Sequence, residues 1–276
     1  MPLPPGISGA VMTRFHDLFP APKPIIGVIH LPALPGYPQS KGIDHAVEKA
    51  LADLAALEAG GADGVLVENE HDRPHTVLSA PETTACMTRV TREVVAAARR
   101  CVIGIEILLN DPAASLAVAR ASGAKFIRTD YFVDPMERPE HGGAMHIDPE
   151  GVMAYRSRIG AEDVLVLADI QVKYAHMLVP RGLDESARLA REHRADAAIV
   201  SGNATAEPPT AAEVALAKRG AGALPILIGS GIDVGNAAAL LSVADGAIVG
   251  TSLKHGDYIA AEKVERLVTV ARGLGR

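Results

Sequence analysis

Aromatic residues and excess positive charge are both scarce in this sequence. It contains no tryptophan, and the three aromatic residue types together make up 3% of its 276 residues. Proteins that bind single-stranded nucleic acid stack bases on aromatic side chains, so this composition argues against such a partner. The formal net charge of −6 and the pI of about 5.9 give no basic footprint for a nucleic-acid backbone. We therefore expect no nucleic-acid partner.

Cysteine is also scarce, and long apolar segments are missing. Cys86 and Cys101 have neither metal-site nor disulfide spacing, which favours a reducing compartment. The N-terminal segment has no cationic start and no continuous apolar stretch, so it does not resemble a secretory signal. No window approaches the length of a transmembrane helix. These absences predict a cytoplasmic protein without a membrane span.

The sequence is rich in alternating strand and helix patterns. Hydrophobic residues make up 48% of the chain. Short apolar runs, each followed by helical periodicity, recur along it without a linker-like break. This pattern predicts one α/β domain, a (β/α)₈ TIM barrel over residues 24–276. Its strands are expected at Ile25–His30, Gly64–Asn69, Ile103–Leu108, Phe126–Asp130, Val164–Ile170, Ala197–Ser201, Pro225–Ile228 and Ala247–Val249.

An N-terminal extension, residues 1–23, precedes the barrel. It carries a short apolar stripe at helical spacing, formed by Val11, Met12, Phe15, Leu18 and Phe19. The polar face of this stripe has no basic cluster, which argues against a membrane anchor. We expect a short helix that caps one end of the barrel or contacts another subunit.

Two glycine turns follow the seventh and eighth predicted strands. In TIM barrels these loops frequently bind phosphate, because successive N–H groups in a turn form a positive concavity. The alternative is that the glycines only permit tight turns. The sequence predicts a phosphate site formed by Gly229, Ser230, Gly231, Gly250 and Thr251, flanked by Gly202 and Asn203.

Polar side chains end every predicted strand, whereas the strand starts are mostly apolar. Active sites of TIM barrels lie at the C-terminal ends of the strands, so this asymmetry indicates a functional site. The candidate catalytic residues are Glu68, Glu106, Arg128, Asp130, Asp169 and Lys173. Further candidate substrate contacts are His30, Asn69 and Asn110.

Glu106 is unusual because it lies inside the apolar run IGIEILL. A lone buried charge is costly, so this carboxyl group must be paired, hydrogen-bonded or protonated. Arg128 on the neighbouring strand can supply the pair, and Asp130 shares the face of Arg128. Two roles for Glu106 stay open. It forms a structural ion pair inside the barrel, or it acts on the substrate as a catalytic base or as a clamp for hydroxyl groups.

Asp169 and Lys173 close the fifth strand in the segment ADIQVKYAHM. They can hold each other ionised and exchange protons with a substrate. Lys173 could instead form a Schiff base, or bind phosphate as a point charge. The remaining alternative is an exposed salt bridge on a loop.

Four histidines lie in the loops after the second and fourth strands, namely His71, His75, His141 and His146. Their spacing matches no standard zinc motif, so we expect them to be solvated. A divalent ion on Glu68, Glu106 or Asp169 stays open without support, and no metal site is predicted. No motif for an organic cofactor is present either.

Six segments together resemble the BtpA family, from about Pro24 to Asp257. They are PIIGVIHLPALPGYP, DGVLVEN, LLNDPAASLAVARASGAKFIR, ADIQVKYA, AAIVSGNAT and ILIGSG with ADGAIVGTSLK. The resemblance implies a phosphate-binding type of barrel. It implies no single activity, because the family takes its name from photosystem I biogenesis while other members accompany sugar-uptake operons.

The chain departs from the photosynthetic branch of that family at the expected site. Glu106 and Asp130 stand where that branch tends to have Asn, and Gln171 where it tends to have His. Asn203 and Ala206 stand where that branch tends to have Lys and Gly. The loop after the fourth strand, MERPEHGGAMHID, also differs from the loop of that branch. These departures argue against transferring a photosystem role.

Two classes of function remain. The first is an enzyme acting on a small phosphorylated sugar or nucleoside-derived metabolite, by isomerisation, carbon–carbon cleavage or glycosidic hydrolysis. The second is a non-catalytic assembly factor of the photosystem I biogenesis type. Partly buried charged groups at the strand ends favour the first, and specifically a phosphosugar isomerase or lyase that abstracts a proton next to a carbonyl. A homo-oligomer stays open.

Overall fold

A closed barrel of eight parallel strands forms the centre of the molecule, for which the computed structural model describes residues 12–202, 204 and 206–274. The strands follow one another around the barrel in chain order, which confirms the predicted TIM barrel. Strands β1 to β8 span Ile25–His30, Gly64–Glu68, Val102–Glu106, Phe126–Thr129, Leu165–Ile170, Ala197–Val200, Ile226–Ile228 and Gly246–Val249.

Helices pack around this barrel and precede it. Within the described residues α1 to α9 span Arg14–Leu18, Ile43–Ala59, Pro81–Ala97, Pro112–Ser122, Pro149–Arg158, Leu183–Glu192, Ala211–Ala221, Ala237–Leu241 and Ala261–Gly273. Local sequence sets their ends: the Asp111 carboxylate starts α4 by accepting from the N–H of Ala114 at 2.9 Å. None of these helices is long and apolar enough to cross a membrane.

Alternate residues along each strand point into the barrel, and this places the site. At mid-height the inward residues are apolar and form one cluster, which includes Ile26, Leu66, Phe126, Leu167, Ile199, Leu227 and Ile248. One step further toward the carboxyl end, the inward residues are polar, among them His30, Glu68, Glu106, Arg128, Asp169 and Ser201. We call the carboxyl end of the strands the upper end and the opposite end the lower end.

The lower end is closed by α1, which confirms the predicted short N-terminal helix. Phe15 and Phe19 are buried in the inner cluster, with ring centroids 5.0 Å apart, and the ring of Phe19 lies 5.7 Å from that of Phe126. Gly64 makes room for this contact, since a Cβ there would lie 2.8 Å from the Phe19 ring. Val11, the first residue of the predicted stripe, lies outside the described residues. A separate extension at residues 1–23 therefore stays a prediction.

The upper loops contain strands that the sequence pattern did not predict. The segment after β4, expected to be a plain loop, contains the short strands Met136–Arg138 and Gly143–Ala144. Both join His176–Met177, from the loop after β5, in an antiparallel sheet. The pairing links distant segments of the chain, so no local pattern indicates it.

The predicted end of β3 was wrong by two residues because a side chain captures a backbone group. Strand β3 ends at Glu106 rather than Leu108, since the Leu108 N–H donates to Asn69 Oδ1 at 2.8 Å instead of continuing the ladder. A tight turn precedes helix α8, which begins at Ala237. The Asp233 carboxylate closes this turn by accepting from the Gly235 N–H at 2.7 Å.

Candidate active site

Two adjoining cavities open at the upper end of the barrel. The larger, of about 310 Å³, is bordered by the glycine turns after β7 and β8 and by His30. The smaller, of about 80 Å³, is bordered by Glu106 and Asp130. They share the side chains of Glu68, Glu70, Arg128 and Lys173 along their walls. Eleven of the sixteen predicted site residues therefore line one cavity or both, namely His30, Glu68, Glu106, Arg128, Asp130, Lys173, Gly229, Ser230, Gly231, Gly250 and Thr251.

The turns after β7 and β8 present unused N–H groups to the larger cavity. Among the described residues, no oxygen accepts from the N–H of Gly231, Thr251 or Ser252, and we call these three groups the cradle. Unpaired N–H groups gathered in this way favour an anion. Gly231 is held at φ 68°, and a Cβ there would lie 2.1 Å from Pro208 N, so only glycine fits this turn.

The flanking residues of the predicted phosphate site have other partners. The N–H of Gly229 donates to Val200 O at 2.9 Å, and that of Gly202 to Ser230 Oγ at 2.9 Å. Ser230 Oγ in turn donates to Glu207 O at 2.9 Å. These hydrogen bonds hold the loops next to the cradle in place. Asn203 lies outside the described residues.

His30 borders the cradle in a fixed orientation. Lys254 Nζ lies 2.5 Å from His30 Nδ1, and an ammonium group can only donate, so the ring hydrogen sits on Nε2. A Cβ on Gly250 would lie 3.1 Å from that Nε2 atom, which places the N–H edge beside the turn after β8. Burial, reinforced by Lys254, lowers the pKa of His30 to about 3. His30 is therefore a neutral hydrogen-bond donor.

Arg128 and Asp169 form a buried pair between β4 and β5. Arg128 Nε lies 2.7 Å from Asp169 Oδ2 and Nη2 lies 3.0 Å from Oδ1, a bidentate arrangement. Ser201 Oγ donates to Asp169 Oδ1 at 3.2 Å. Burial opposes the charge on Arg128, but Asp169 and Glu106 outweigh it and raise the pKa of Arg128. Asp169 thus holds a guanidinium group at the cavity wall and lines neither cavity itself.

Glu106 points into the barrel but lacks a close partner. Its carboxylate lies 3.7 Å from Arg128 Nε, and neither oxygen has a hydrogen bond among the described residues. Burial raises the pKa of Glu106 well above its ordinary value, Arg128 opposes this shift, and Asp130 and Glu68 add to it. The protonated acid is therefore favoured. The expected ion pair between Glu106 and Arg128 is formed at this longer distance, and Arg128 makes its close bidentate pair with Asp169.

Asp130, which lines the smaller cavity, and Lys173, on the shared wall, are the groups suited to proton transfer. Burial, followed by the charge of Asp169, raises the pKa of Asp130 to about 7, while Arg128 and Lys173 oppose the shift. Lys173 is half-buried, borders both cavities, and has no hydrogen bond or ion pair within the described part of the chain. The expected Asp169–Lys173 pair is not formed, because Arg128 occupies that carboxylate.

Asn69 and Asn110 support loops and line neither cavity. Asn69 Nδ2 donates to Asp72 Oδ2 at 3.0 Å, and its Oδ1 accepts from Leu108. Asn110 Nδ2 donates to His146 O at 2.8 Å. No three histidine, cysteine or acidic side chains of the described residues are grouped closely enough to hold a metal ion.

Sequence reasoning missed several residues of this site, among them His75 and Lys254. His75, expected to be solvated, is 9% exposed and lines the smaller cavity. Lys254, which orients His30, lies only two residues after the turn that follows β8, but no local signal pairs it with β1.

Comparisons with known proteins agree with the fold and the sequence resemblance. Photosystem I biogenesis protein BtpA from Synechocystis is 36% identical over 247 residues, which cover 87% of this chain and 83% of that protein. (S)-3-O-geranylgeranylglyceryl phosphate synthase from Thermoplasma acidophilum, solved with sn-glycerol-1-phosphate, superposes with a TM-score of 0.59 at 16% identity, covering 95% of this chain and 100% of that one. N-(5'-phosphoribosyl)anthranilate isomerase from Pyrococcus furiosus gives 0.57 at 14% identity, with 91% and 99% covered.

The two solved structures share only the barrel fold with this chain, because their sequence identity is low. The family comparison is more specific, since the BtpA family model matches residues 21–273. That span contains the whole barrel, both glycine turns and every side chain that borders the two cavities. The chain therefore belongs to the BtpA family.

Proposed function

We propose that this protein is an enzyme that acts on a small phosphorylated sugar or nucleoside-derived metabolite, by moving a proton next to a carbonyl group. One observation carries the proposal. The cradle, with its unused N–H groups, and a half-buried acid with a pKa of about 7 open onto adjoining cavities that share Lys173. One small molecule can therefore contact an anion site and a proton-transfer site together.

The phosphate group binds at the cradle in this proposal. The N–H groups of Gly231, Thr251 and Ser252 donate to its oxygens, and the Nε2–H of neutral His30 adds a donor beside them. The volume of the larger cavity lies within the usual range for small-molecule sites. Barrels of the same fold include one solved with sn-glycerol-1-phosphate, which supports the proposal by analogy.

Asp130 acts as the general base. Its pKa of about 7 leaves much of it ionised at neutral pH while keeping it basic enough to accept a proton from carbon. The C–H electron pair moves to the carbonyl oxygen as the proton reaches the Asp130 carboxylate. Lys173 and Arg128 stabilise the resulting enolate oxygen. An isomerisation is completed when the adjacent hydroxyl group gives its proton to the enolate oxygen and Asp130 returns the first proton to the adjacent carbon. In an aldol cleavage, Asp130 takes the proton of the β-hydroxyl group instead. The O–H electron pair then forms a new carbonyl group, and the electron pair of the broken carbon–carbon bond forms the enolate, which Asp130 protonates on carbon.

A role in assembly is the competing interpretation. The Synechocystis relative is named for photosystem I biogenesis. The catalytic proposal is better supported, because Glu106 and Arg128 are buried at a site where assembly alone gives them no purpose. A cytoplasmic location, carbohydrate metabolism and a homo-oligomeric state belong to the same proposal.

A thermal-shift screen of the purified protein against phosphorylated sugars and nucleotides tests the proposal. We expect at least one phosphorylated sugar to raise the Tm. Turnover of that compound should fall by about 10²–10⁴-fold in Asp130→Asn, the usual contribution of a general base. Lys173→Ala should lower it by about 10–10³-fold, through lost stabilisation of the oxyanion.

Lys125→Ala is the matched control for Lys173→Ala. Lys125 is an exposed lysine at the lower end, where it pairs with Asp163 at 2.9 Å, and its removal should leave binding and turnover unchanged. The enzyme proposal would fail if no phosphate ester raised the Tm and a specific protein partner were captured instead.

A further inference from the structure

The smaller cavity carries two buried polar side chains without partners. Glu106 is 2% exposed and His75 is 9% exposed, and both line this cavity. Both Glu106 oxygens and His75 Nδ1 lack a hydrogen bond among the described residues. Buried polar groups are normally hydrogen-bonded, because an unmade bond costs free energy. These groups therefore indicate a polar ligand at this end of the site.

The charges on the wall argue against a second anionic group on that ligand. Each wall arginine already has a carboxylate partner: Arg128 pairs with Asp169, Arg73 with Glu70, and Arg138 with Glu140. The acids that face the cavity would repel another anion. Among the described residues only Lys173 is left without such a partner, and it also borders the larger cavity where the phosphate is placed.

A cationic group or an aromatic ring fits no better. Lys173, which has no carboxylate partner among the described residues, opposes a cation, and burial favours the uncharged form of Glu106. The wall has one phenol ring, that of Tyr174, and the Arg138 guanidinium already covers it at 5.7 Å from the ring centroid. No open stacking surface for a nucleobase remains on the described wall.

Hydroxyl groups match the unpartnered side chains, because a hydroxyl both donates and accepts. Burial raises the pKa of Glu106 and so favours the protonated acid, which has one donor and an acceptor. Burial, followed by the charge of Arg73, lowers the pKa of His75 to about 4, which leaves a neutral ring with one donor and one acceptor. Each side chain can thus complete its hydrogen bonds with a hydroxyl group.

We propose that the smaller cavity is a hydroxyl-binding subsite, in which Glu106 and His75 bind the neutral polyol part of a phosphorylated sugar. This inference rests on the proposed function and narrows it from sugar or nucleoside derivatives to sugars without a second charged group. The shared wall of Glu68, Arg128 and Lys173 connects the subsite with the cradle, so one chain of carbons reaches both.

A series of unreactive ligands tests the subsite on the unaltered protein by calorimetry. The ligands are inorganic phosphate, pentyl phosphate, glucitol 6-phosphate and 6-phosphogluconate. We expect glucitol 6-phosphate to bind about tenfold or more tightly than pentyl phosphate, as one or two added hydrogen bonds would produce. We expect 6-phosphogluconate, which carries a carboxylate at its far end, to bind more weakly than glucitol 6-phosphate.

Variants then test whether the tighter binding of glucitol 6-phosphate depends on Glu106 and His75. Glu106→Leu and His75→Leu should each abolish most of the advantage of glucitol 6-phosphate over pentyl phosphate. Their affinity for inorganic phosphate should stay within about twofold, since neither residue borders the larger cavity. Glu106→Gln, a neutral side chain of the same shape with a donor and an acceptor, should retain the advantage.

The outcomes separate the subsite from the proposed function. Phosphate binding with no gain from the hydroxyl groups, or equal binding of 6-phosphogluconate and glucitol 6-phosphate, would overturn the subsite alone. Loss of inorganic phosphate binding in Glu106→Leu and His75→Leu would overturn it as well. Failure of all four ligands to bind the unaltered protein would overturn the proposed function together with the subsite.

Discussion

The two ends of the barrel are built from the same strands, yet their inward side chains have opposite character. In β4, Phe126 faces the lower part of the interior and Arg128 faces the upper part, two residues further along. In β3, Gly104 and Glu106 stand in the same relation, and a Cβ on Gly104 would lie 2.2 Å from the Phe126 ring. A single step of the strand pleat therefore separates a packing layer from a layer of charged groups.

The contrast between the two ends shows which side chains stabilise the fold and which destabilise it. The lower end buries the rings of Phe15, Phe19 and Phe126 against one another, a favourable transfer of apolar surface. The upper end buries Glu106 without a hydrogen bond, which is costly. Polar groups left unsatisfied at one end of a well-packed barrel are expected where a ligand completes them.

The first and largest test of the comparison is at the lower end. Phe19→Ala should lower the free energy of unfolding by about 3–5 kcal/mol, because it leaves a cavity between α1 and the barrel interior. Phosphate affinity should change less than about twofold, since the cradle lies at the other end. Urea unfolding and calorimetry measure the two quantities.

Met12→Ala is the matched control for Phe19→Ala. Met12 belongs to the same N-terminal segment but is 67% exposed, so its truncation should change stability by about 0.5 kcal/mol or less. A large loss of phosphate binding in Phe19→Ala, with the fold intact, would show that the two ends are coupled and would break the comparison.

The difference between the ends was predictable from sequence only where it depends on strand periodicity. The polar ends of the strands and the glycine turns after β7 and β8 are local patterns, and they led to the cavity walls. The choice of partners was not predictable, because Asp169 binds Arg128 on the neighbouring strand and not Lys173, which follows Asp169 by four residues. Asp169 has two positively charged candidates, and only the barrel geometry decides between them.

The sequence also did not indicate which residues of the upper loops are buried. His75 looks like a solvated histidine in a polar loop, but the fold turns it into the smaller cavity. Asn69 and Asn110 look like substrate contacts because they follow strands, yet their amides donate to Asp72 and to the backbone of His146. Position at a strand end therefore indicates the neighbourhood of a site and not the role of a side chain.

The second test compares acids at the two ends of the barrel by the pH dependence of stability. Burial, followed by the charge of Asp169, raises the pKa of Asp130 from 3.8 to about 7, so the folded protein binds this proton more tightly than the unfolded chain does. Its contribution to stability is therefore fully present below pH 3.8 and is lost as the pH rises through about 7. In Asp130→Asn, the change in unfolding free energy between pH 4 and pH 8 should differ from that of the unaltered protein by on the order of 1–3 kcal/mol.

An acid at the lower end should behave in the opposite sense. The hydrogen bond from Lys125 lowers the pKa of Asp163, so its contribution is present at neutral pH and lost on acidification. Asp163→Asn should therefore slightly weaken the protein at neutral pH and leave it unchanged in acid, because this exposed pair is well screened. Identical pH profiles for Asp130→Asn and the unaltered protein would remove Asp130 as the proposed base.

The third test, with the smallest expected effect, concerns the orientation of His30 at the cradle. Lys254 Nζ contacts Nδ1 of the ring, which leaves the hydrogen on Nε2 toward the cavity. Nitrogen NMR of the imidazole rings should show this tautomer in the unaltered protein, with no protonation down to about pH 5 because the pKa is about 3. Lys254→Met should release the ring and weaken inorganic phosphate binding by about fivefold, the value of one hydrogen bond.

Two replacements of His30 separate its N–H group from its bulk. His30→Gln places an amide N–H close to the former Nε2 position and should keep most of the phosphate affinity, whereas His30→Leu should lose about as much as Lys254→Met. Lys125→Met, at the lower end, removes a lysine of the same charge and should change neither the NMR signals of His30 nor the affinity. A hydrogen found on Nδ1 in the unaltered protein would mean that Lys254 accepts it as a neutral amine, and His30 would then add no donor beside the cradle.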